Sequence, residues 1–196
     1  MITIIDYGMG NLRNVQRGLA AAGFESEITA DPGVIRSARK VILPGVGAFG
    51  EAMKRIKELQ LQDAIIDRAQ AGVPFLGICL GMQLLFEESE ESPGVSGLGL
   101  VSGKVLKFDD GLKVPHVGWN DVDVVSASPL FDAGRRDTYY FVHSFYVPVG
   151  KQTIGRSEYG TSFSAAIQKD SIFGVQFHPE KSQNAGLNLL RRFGEI

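Results

Sequence analysis

Pro74-Phe75-Leu76-Gly77-Ile78-Cys79-Leu80-Gly81-Met82-Gln83-Leu84-Leu85-Phe86 begins as an apolar, strand-like run and continues as a helix. The one cysteine of the chain sits where the first becomes the second, with a glycine two residues away on each side. Gly77-x-Cys79-x-Gly81 is the thiol form of a nucleophile elbow, a sharp strand-to-helix turn that holds the nucleophile up and exposed. A side chain at either glycine is expected to collide with neighbouring backbone. The amides at the head of the helix are expected to favour thiolate over thiol. Read alone, the same residues fit equally well a buried strand and helix with Cys79 as a small core residue.

Moving outward, the segments before the elbow alternate strand and helix. Ile2 to Asp6 reads as a buried strand, and Tyr7-Gly8-Met9-Gly10-Asn11 as a turn. A helix follows to about Ala22, with Leu12, Val15, Leu19 and Ala22 on one face and Gly23 as its stop. Phe24 to Thr29 reads as a short strand, Asp31-Pro32-Gly33 as a loop, and Lys40 to Leu43 as a strand running into Pro44-Gly45-Val46-Gly47. Met53, Ile56, Ala64 and Ile65 mark helical segments broken near Gln60. This rhythm predicts a parallel sheet with helices on both faces.

After Phe86 the pattern changes. Glu87 to Gly94 reads as an acidic, solvated loop. Strands are predicted at Lys104 to Phe108, Asp121 to Val125, Thr138 to Val142, Ala165 to Gln168 and Ile172 to Phe177, and a last helix at about Ala185 to Phe193. The reading is one domain over residues 1–196, an α/β fold with a mixed, mainly parallel sheet that gains antiparallel strands in its C-terminal half.

Composition narrows the classes. A chain of 196 residues buries a substantial core as one α/β domain. A single cysteine allows neither an internal disulfide framework nor a multi-cysteine zinc site, and fits a reducing compartment. Met1 leads straight into an apolar strand without a signal-peptide pattern, so a cytoplasmic location is expected. No apolar run approaches the roughly 18–20 residues of a membrane span. A net charge of −2 with scattered basic residues excludes a nucleic-acid footprint.

The chain has three histidines. A cysteine nucleophile needs an imidazole within hydrogen-bonding reach. The apolar run Ile172 to Phe177 ends in His178-Pro179-Glu180. Residues i and i+2 of an extended chain share a side, so Glu180 is placed to accept the outer N–H of His178 and orient the ring. Alone, His-x-Glu fits a strand-end histidine beside a surface glutamate; the elbow cysteine changes the balance. Both features fall at strand C-termini, where open α/β sheets place their sites. Oxyanion donors are expected from Leu80 and from the turn at Val46 and Gly47. Strand alternation puts His143 on one side with Tyr139 and Phe141, and Tyr140, Val142 and Ser144 on the other, a pattern that fits a core aromatic strand; His116 precedes the only tryptophan. No histidine spacing suits a metal, and no cofactor motif occurs.

The elbow, the Pro44–Gly47 turn and Gly174-Val175-Gln176-Phe177-His178-Pro179-Glu180 together resemble the class I glutamine amidotransferases, whose fold is flavodoxin-like. Asp6 to Asn11, Pro115-His116-Val117-Gly118-Trp119-Asn120, Tyr140 to Ser144 and Lys181-Ser182 are similar to the glutaminase subunits of imidazole glycerol phosphate synthases. The resemblance runs from Ile2 to the last helix, with Phe145 where many relatives are expected to carry tyrosine. It implies an enzyme of histidine biosynthesis with a Cys79, His178, Glu180 triad and no cofactor. Leu80, Val46 and Gly47 would form the oxyanion hole. Gly47, Gln83, His143 and Ser144 would hold L-glutamine. Asn11, Trp119, Tyr140 and Lys181 would face a (β/α)8-barrel cyclase that receives the ammonia, forming a heterodimer. A paralogue feeding a surface-sugar pathway, or a flavodoxin-like module with one reactive cysteine, are the competing expectations.

Overall fold

Short runs with hardly a charged residue form the centre of the sheet, because strands covered on both faces bury every side chain. In the computed structural model, which describes residues 1–109 and 111–196, β1 (Ile2–Ile5), β3 (Val41–Gly45) and β4 (Phe75–Cys79) are buried throughout. Between them lie α1 (Leu12–Ala21), β2 (Ser26–Thr29), α2 (Pro32–Ser37), α3 (Phe49–Glu58) and α4 (Gln62–Gln70). The single helical turn α5 (Leu80–Gln83) follows β4. Next come β5 (Glu88–Ser89), β6 (Lys104–Lys107), β7 (His116–Val124), β8 (Arg136–His143), β9 (Phe145–Tyr146), β10 (Thr153–Tyr159), β11 (Thr161–Lys169) and β12 (Ile172–Val175). A 3-10 turn at Pro179–Lys181 leads into α6 (Gln183–Glu195).

The main sheet has nine strands in the order β2-β1-β3-β4-β12-β11-β10-β7-β8. From β2 to β12 neighbours are parallel; from β12 to β8 they are antiparallel. The last strand in sequence is thus the seam between the two halves. A small second sheet joins β5, β6 and β9. Alternation along β3 and β4 divides the core. Val41, Leu43 and Phe75 pack with α2, α3 and α4, whereas Ile42, Leu76 and Ile78 pack with α1 and α6. These layers bear out the class I amidotransferase-like sheet with helices on both faces.

Several sequence expectations need correction. Asp31-Pro32-Gly33 starts a helix instead of forming a loop: the Asp31 carboxylate accepts from the Gly33 and Val34 amides, and Pro32 occupies the first turn. The helix after the elbow is one turn long, so any field from aligned peptides at Cys79 is short-ranged. The acidic segment is not simply solvated. Ser89 is buried, Glu91 accepts from the Phe49 amide at 2.7 Å, and Ser92 Oγ accepts from the Gly50 amide at 2.9 Å. The segment therefore caps α3, whose own N-cap, Ala48, has no side chain able to do so. Strands β5, β9 and β10 fall outside the strands expected from the sequence. In β10, Gly155 and Ser157 occupy inward positions and the register shifts at Gly155, which erases the apolar alternation.

Candidate active site

The register brings the candidate residues together. Gly45 at the end of β3 pairs with Cys79 at the end of β4, and Ile78 pairs with Val175 of β12. Three parallel strands therefore deliver the Val46–Gly47 turn, Cys79 and His178 to one edge of the sheet. This is the carboxyl edge at which open α/β sheets bind ligands.

At the elbow, Cys79 has φ +55° and ψ −113°, a backbone state that ordinary residues rarely adopt and that costs on the order of 1–3 kcal/mol. The turn is possible because its flanks lack side chains. A Cβ on Gly77 would lie 2.7 Å from the Gly81 carbonyl oxygen, and one on Gly81 would collide with the Leu43 carbonyl. The expected steric reason for both glycines is thus present.

His178 Nδ1 lies 2.8 Å from Glu180 Oε1, with both side chains buried. The His178 amide also donates to the Tyr140 carbonyl at 2.9 Å, and Ser182 Oγ accepts from the Tyr140 amide at 3.0 Å. The free edge of β8 is thereby covered by the segment that carries the histidine. His178 Nε2 is buried and has no hydrogen-bond partner of ordinary geometry among the described residues, yet Cys79 is close enough to act on it. Burial alone would lower the proton affinity of this ring. Cys79 and Glu180 together outweigh burial and hold its pKa above the usual histidine value. Catalytic hydrogen bonds are often loose before substrate arrives.

A cavity of about 370 Å³ opens in front of the sulfur, lined by Val46, Gly47, Cys79, Leu80, Gln83 and Glu91 on one side. Pro115, Val142, His143, Ser144 and Phe145 complete it. Gly47 has φ +105° and sits against Met9. Every expected oxyanion and glutamine-binding residue borders this cavity, whereas His178 and Glu180 are not among its lining residues.

The contacts refine individual roles. Gln83 Nε2 donates to the Phe145 carbonyl at 3.0 Å and to Gln176 Oε1 at 2.9 Å. His143 uses Nδ1 on the Phe145 carbonyl at 2.8 Å and Nε2 on His116 Nδ1 at 2.9 Å. Both of its ring nitrogens are occupied by the protein, so it offers the cavity a ring face and backbone. Sequence reasoning missed Glu91 and Gln176. Glu91 looked like one of several surface acids; Gln176 carried no pattern beyond its place two residues before His178.

Trp119, Tyr140 and Lys181 form a surface cluster. The two rings meet edge to face at 6.0 Å, and Lys181 Nζ lies 5.7 Å from the Tyr140 ring centre. Trp119 is 48% exposed and Val117 beside it 56%, so this is not a core aromatic cluster. Asn11 is the N-cap residue of α1 and makes no side-chain cap hydrogen bond. No group of His, Cys, Asp or Glu among the described residues could hold a metal, and no helix among them is long and apolar enough to cross a membrane.

The buried histidines predict an acid sensitivity. Burial pushes His116 down to about 4. Burial, with a smaller effect of neighbouring histidines, pushes His143 down to about 3 against the opposing Phe145 carbonyl bond. Between those values and about 6.5 the unfolded chain holds protons that the native chain does not, so stability falls as pH falls. His178 has the opposite sign: its contribution is full below about 6.5 and is lost as pH rises through its elevated native value. Urea unfolding at pH 7 and pH 5 is expected to show a loss of about 2–3 kcal/mol on acidification. Equal stability at the two pH values would contradict a neutral buried pair.

Comparison with known proteins shows the family. Residues 3–195 match the family described as glutamine amidotransferase class-I. The imidazole glycerol phosphate synthase subunit HisH of Moorella thermoacetica is 50% identical over 199 residues, covering 100% of this chain and 94% of the relative. That of Methanothermobacter thermautotrophicus is 46% identical over 197 residues, covering 100% and 98%. A crystal structure of a glutamine amidotransferase superposes with a TM-score of 0.77 at 19% identity, covering 99% of this chain and 100% of the other. The structure of PurLQS from Thermotoga maritima gives 0.74 at 21%, covering 99% and 95%; at such identities these two support the fold alone. The chain belongs to the class I glutamine amidotransferases, and within them to the HisH subunits of imidazole glycerol phosphate synthase.

Proposed function

We propose that this chain hydrolyses L-glutamine and delivers the ammonia to a (β/α)8-barrel cyclase in histidine biosynthesis, the two chains forming a heterodimer. The observation that carries the reading is the buried His178–Glu180 pair, 2.8 Å apart, behind a strained cysteine at the mouth of a cavity. Cys79 Sγ attacks the side-chain amide carbon of glutamine. The oxyanion is stabilised by the Leu80 amide and by amides of the Val46–Gly47 turn. His178, oriented by Glu180, gives its proton to departing ammonia and leaves a glutamyl thioester. It then takes a proton from water, which attacks the thioester and releases glutamate and the thiol.

Substrate recognition follows from the cavity wall. Glu91, the one carboxylate among the lining residues, is a counter-charge for the α-ammonium of glutamine. No described residue hydrogen-bonds Gln83 Oε1, which faces the same need for a donor. Ser144 and the backbone of His143 and Gly47 complete the contacts. Asn11, Trp119, Tyr140 and Lys181 form the partner-facing side, an aromatic and cationic surface of the kind that anchors interfaces. The Val46 turn is the regulated element: reorientation of its peptide when the partner binds its own ligand would complete the oxyanion hole.

The test is to purify the chain with the cyclase barrel and assay glutaminase alone, with the barrel, and with the barrel plus its ligand. Turnover is expected to be low alone and to rise with the liganded partner. Full turnover without any partner would sink the regulatory part; no turnover under any condition would sink the glutaminase reading itself.

A further inference from the structure

Gln176 is fully buried and takes no part in the mechanism just described. Its orientation can be derived from a single group. The Phe145 backbone carbonyl can only accept hydrogen bonds. It lies 3.0 Å from Gln83 Nε2, so Gln83 turns its NH2 toward it. The second hydrogen of that NH2 meets Gln176 Oε1 at 2.9 Å. Turning the Gln176 amide over would set two NH2 groups against each other, so its own Nε2 is locked on the opposite side, 3.8 Å from Cys79 Sγ.

The same carbonyl fixes the sense of the network in the other direction. It accepts from His143 Nδ1, which leaves Nε2 as an acceptor for His116 Nδ1–H. His116 Nε2 then accepts from Asn120, whose NH2 also donates to the Glu158 carbonyl at 2.8 Å. One peptide carbonyl thus sets the donor sense of every side chain from Asn120 to the nucleophile.

We propose that Gln176 is a thiolate-stabilising donor, its amide N–H held toward Cys79 Sγ by a chain of hydrogen bonds anchored on the Phe145 carbonyl. The thiol has a different partner. The Val142 carbonyl oxygen lies 3.9 Å from Sγ, where it can accept from the S–H but turns repulsive once the sulfur is charged. Among the uncharged groups around the sulfur, ionisation therefore exchanges Val142 for Gln176; the titratable groups that act on it are His178, whose charged ring favours the thiolate, and the buried Tyr7 hydroxyl, both unchanged in every variant compared. The donor acts twice, when the thiolate attacks and when it leaves the thioester. Because both ends of the Gln176 amide are engaged, it needs no reorganisation as charge develops.

The inference rests on Cys79 as nucleophile, but its test uses neither glutamine nor a partner, so the two readings fail separately. Cys79 is the only cysteine, so iodoacetamide alkylation of the full chain reports one site. Its rate is measured against pH for the wild type, Gln176→Met and Gln176→Glu. Gln176→Met keeps the length and removes the donor. It is expected to raise the alkylation midpoint by about one pH unit. Gln176→Glu brings a carboxylate to the sulfur and is expected to raise the midpoint further. Gln83→Met, which frees the Gln176 amide to turn, shifts it in the same direction by less and serves if the first variant does not fold. A merely structural glutamine would lower thermal stability and leave the midpoint in place. Unshifted midpoints in natively folded Gln176→Glu or Gln83→Met would overturn the proposal.

Discussion

Cys79→Ala is expected to lower glutamine hydrolysis by about 10,000-fold or more while synthesis driven by added ammonia continues in the same complex. The loss is this large because the chain holds no second thiol, and the Ser144 hydroxyl on the cavity wall does not sit at the elbow. His178 can move a proton but has no nucleophile to activate, and an oxyanion hole without an attacking atom stabilises little. The fold is expected to survive. Cys79 contributes one small side chain to the core, and alanine keeps the backbone of the elbow, so the stability change stays near 1 kcal/mol. The check is a paired assay of glutamate formation and of ammonium-driven product formation. Glutamine turnover within tenfold of the wild type would remove Cys79 from the mechanism.

Gly81→Ala is the second large effect, and it acts on folding. The new methyl would fall on the backbone carbonyl of Leu43 in the adjacent strand, 2.8 Å from its carbon and closer still to its oxygen. Backbone cannot swing aside as a flexible side chain can. Either α5 lifts away from β3 or β3 shifts in the centre of the sheet. Both routes break a core in which Leu43, Leu80 and Met82 are almost fully buried. The expected cost is about 4 kcal/mol or more, at the severe end for a single substitution. Gly150→Ala is the control. Its nearest contact is the Pro148 carbonyl oxygen at 4.0 Å, and it should change stability by less than about 0.5 kcal/mol. Denaturant midpoints measure both, and a Gly81→Ala protein as stable as Gly150→Ala would refute the packing argument.

How much of this was legible in the sequence depended on whether the determinant was local. The elbow was legible because both strand and turn are written within one short stretch, Pro74 to Phe86. The His178–Glu180 pair was legible from its spacing, but the physical reason differs from the expected one: Pro179–Lys181 is a 3-10 turn, and that turn, not an extended chain, brings the Glu180 carboxylate back to the ring. The antiparallel half was recognised in outline, but β10 was not, since Gly155 and Ser157 replace the apolar residues that would have marked its inner face. The two missed site residues failed for a different reason. Glu91 reaches the cavity because its segment folds back to cap α3, a contact 42 residues away in sequence. Gln176 meets Cys79 across 97 residues and only through strand adjacency. Neither distance leaves a local pattern, and glutamate in an acidic run is ordinarily solvated.

The cover over the edge of β8 has a consequence for motion. Tyr140, the half-buried partner of the exposed Trp119, shares a backbone rung with His178, and its own amide is held by Ser182. The two residues are 38 positions apart along the chain but one hydrogen bond apart in space. Local fraying of the outer strand cannot occur without releasing the imidazole's backbone. The amide protons of Tyr140 and His178 consequently share one opening event in exchange with solvent. The rigidity of the His178 backbone is thus set at the rim of the molecule.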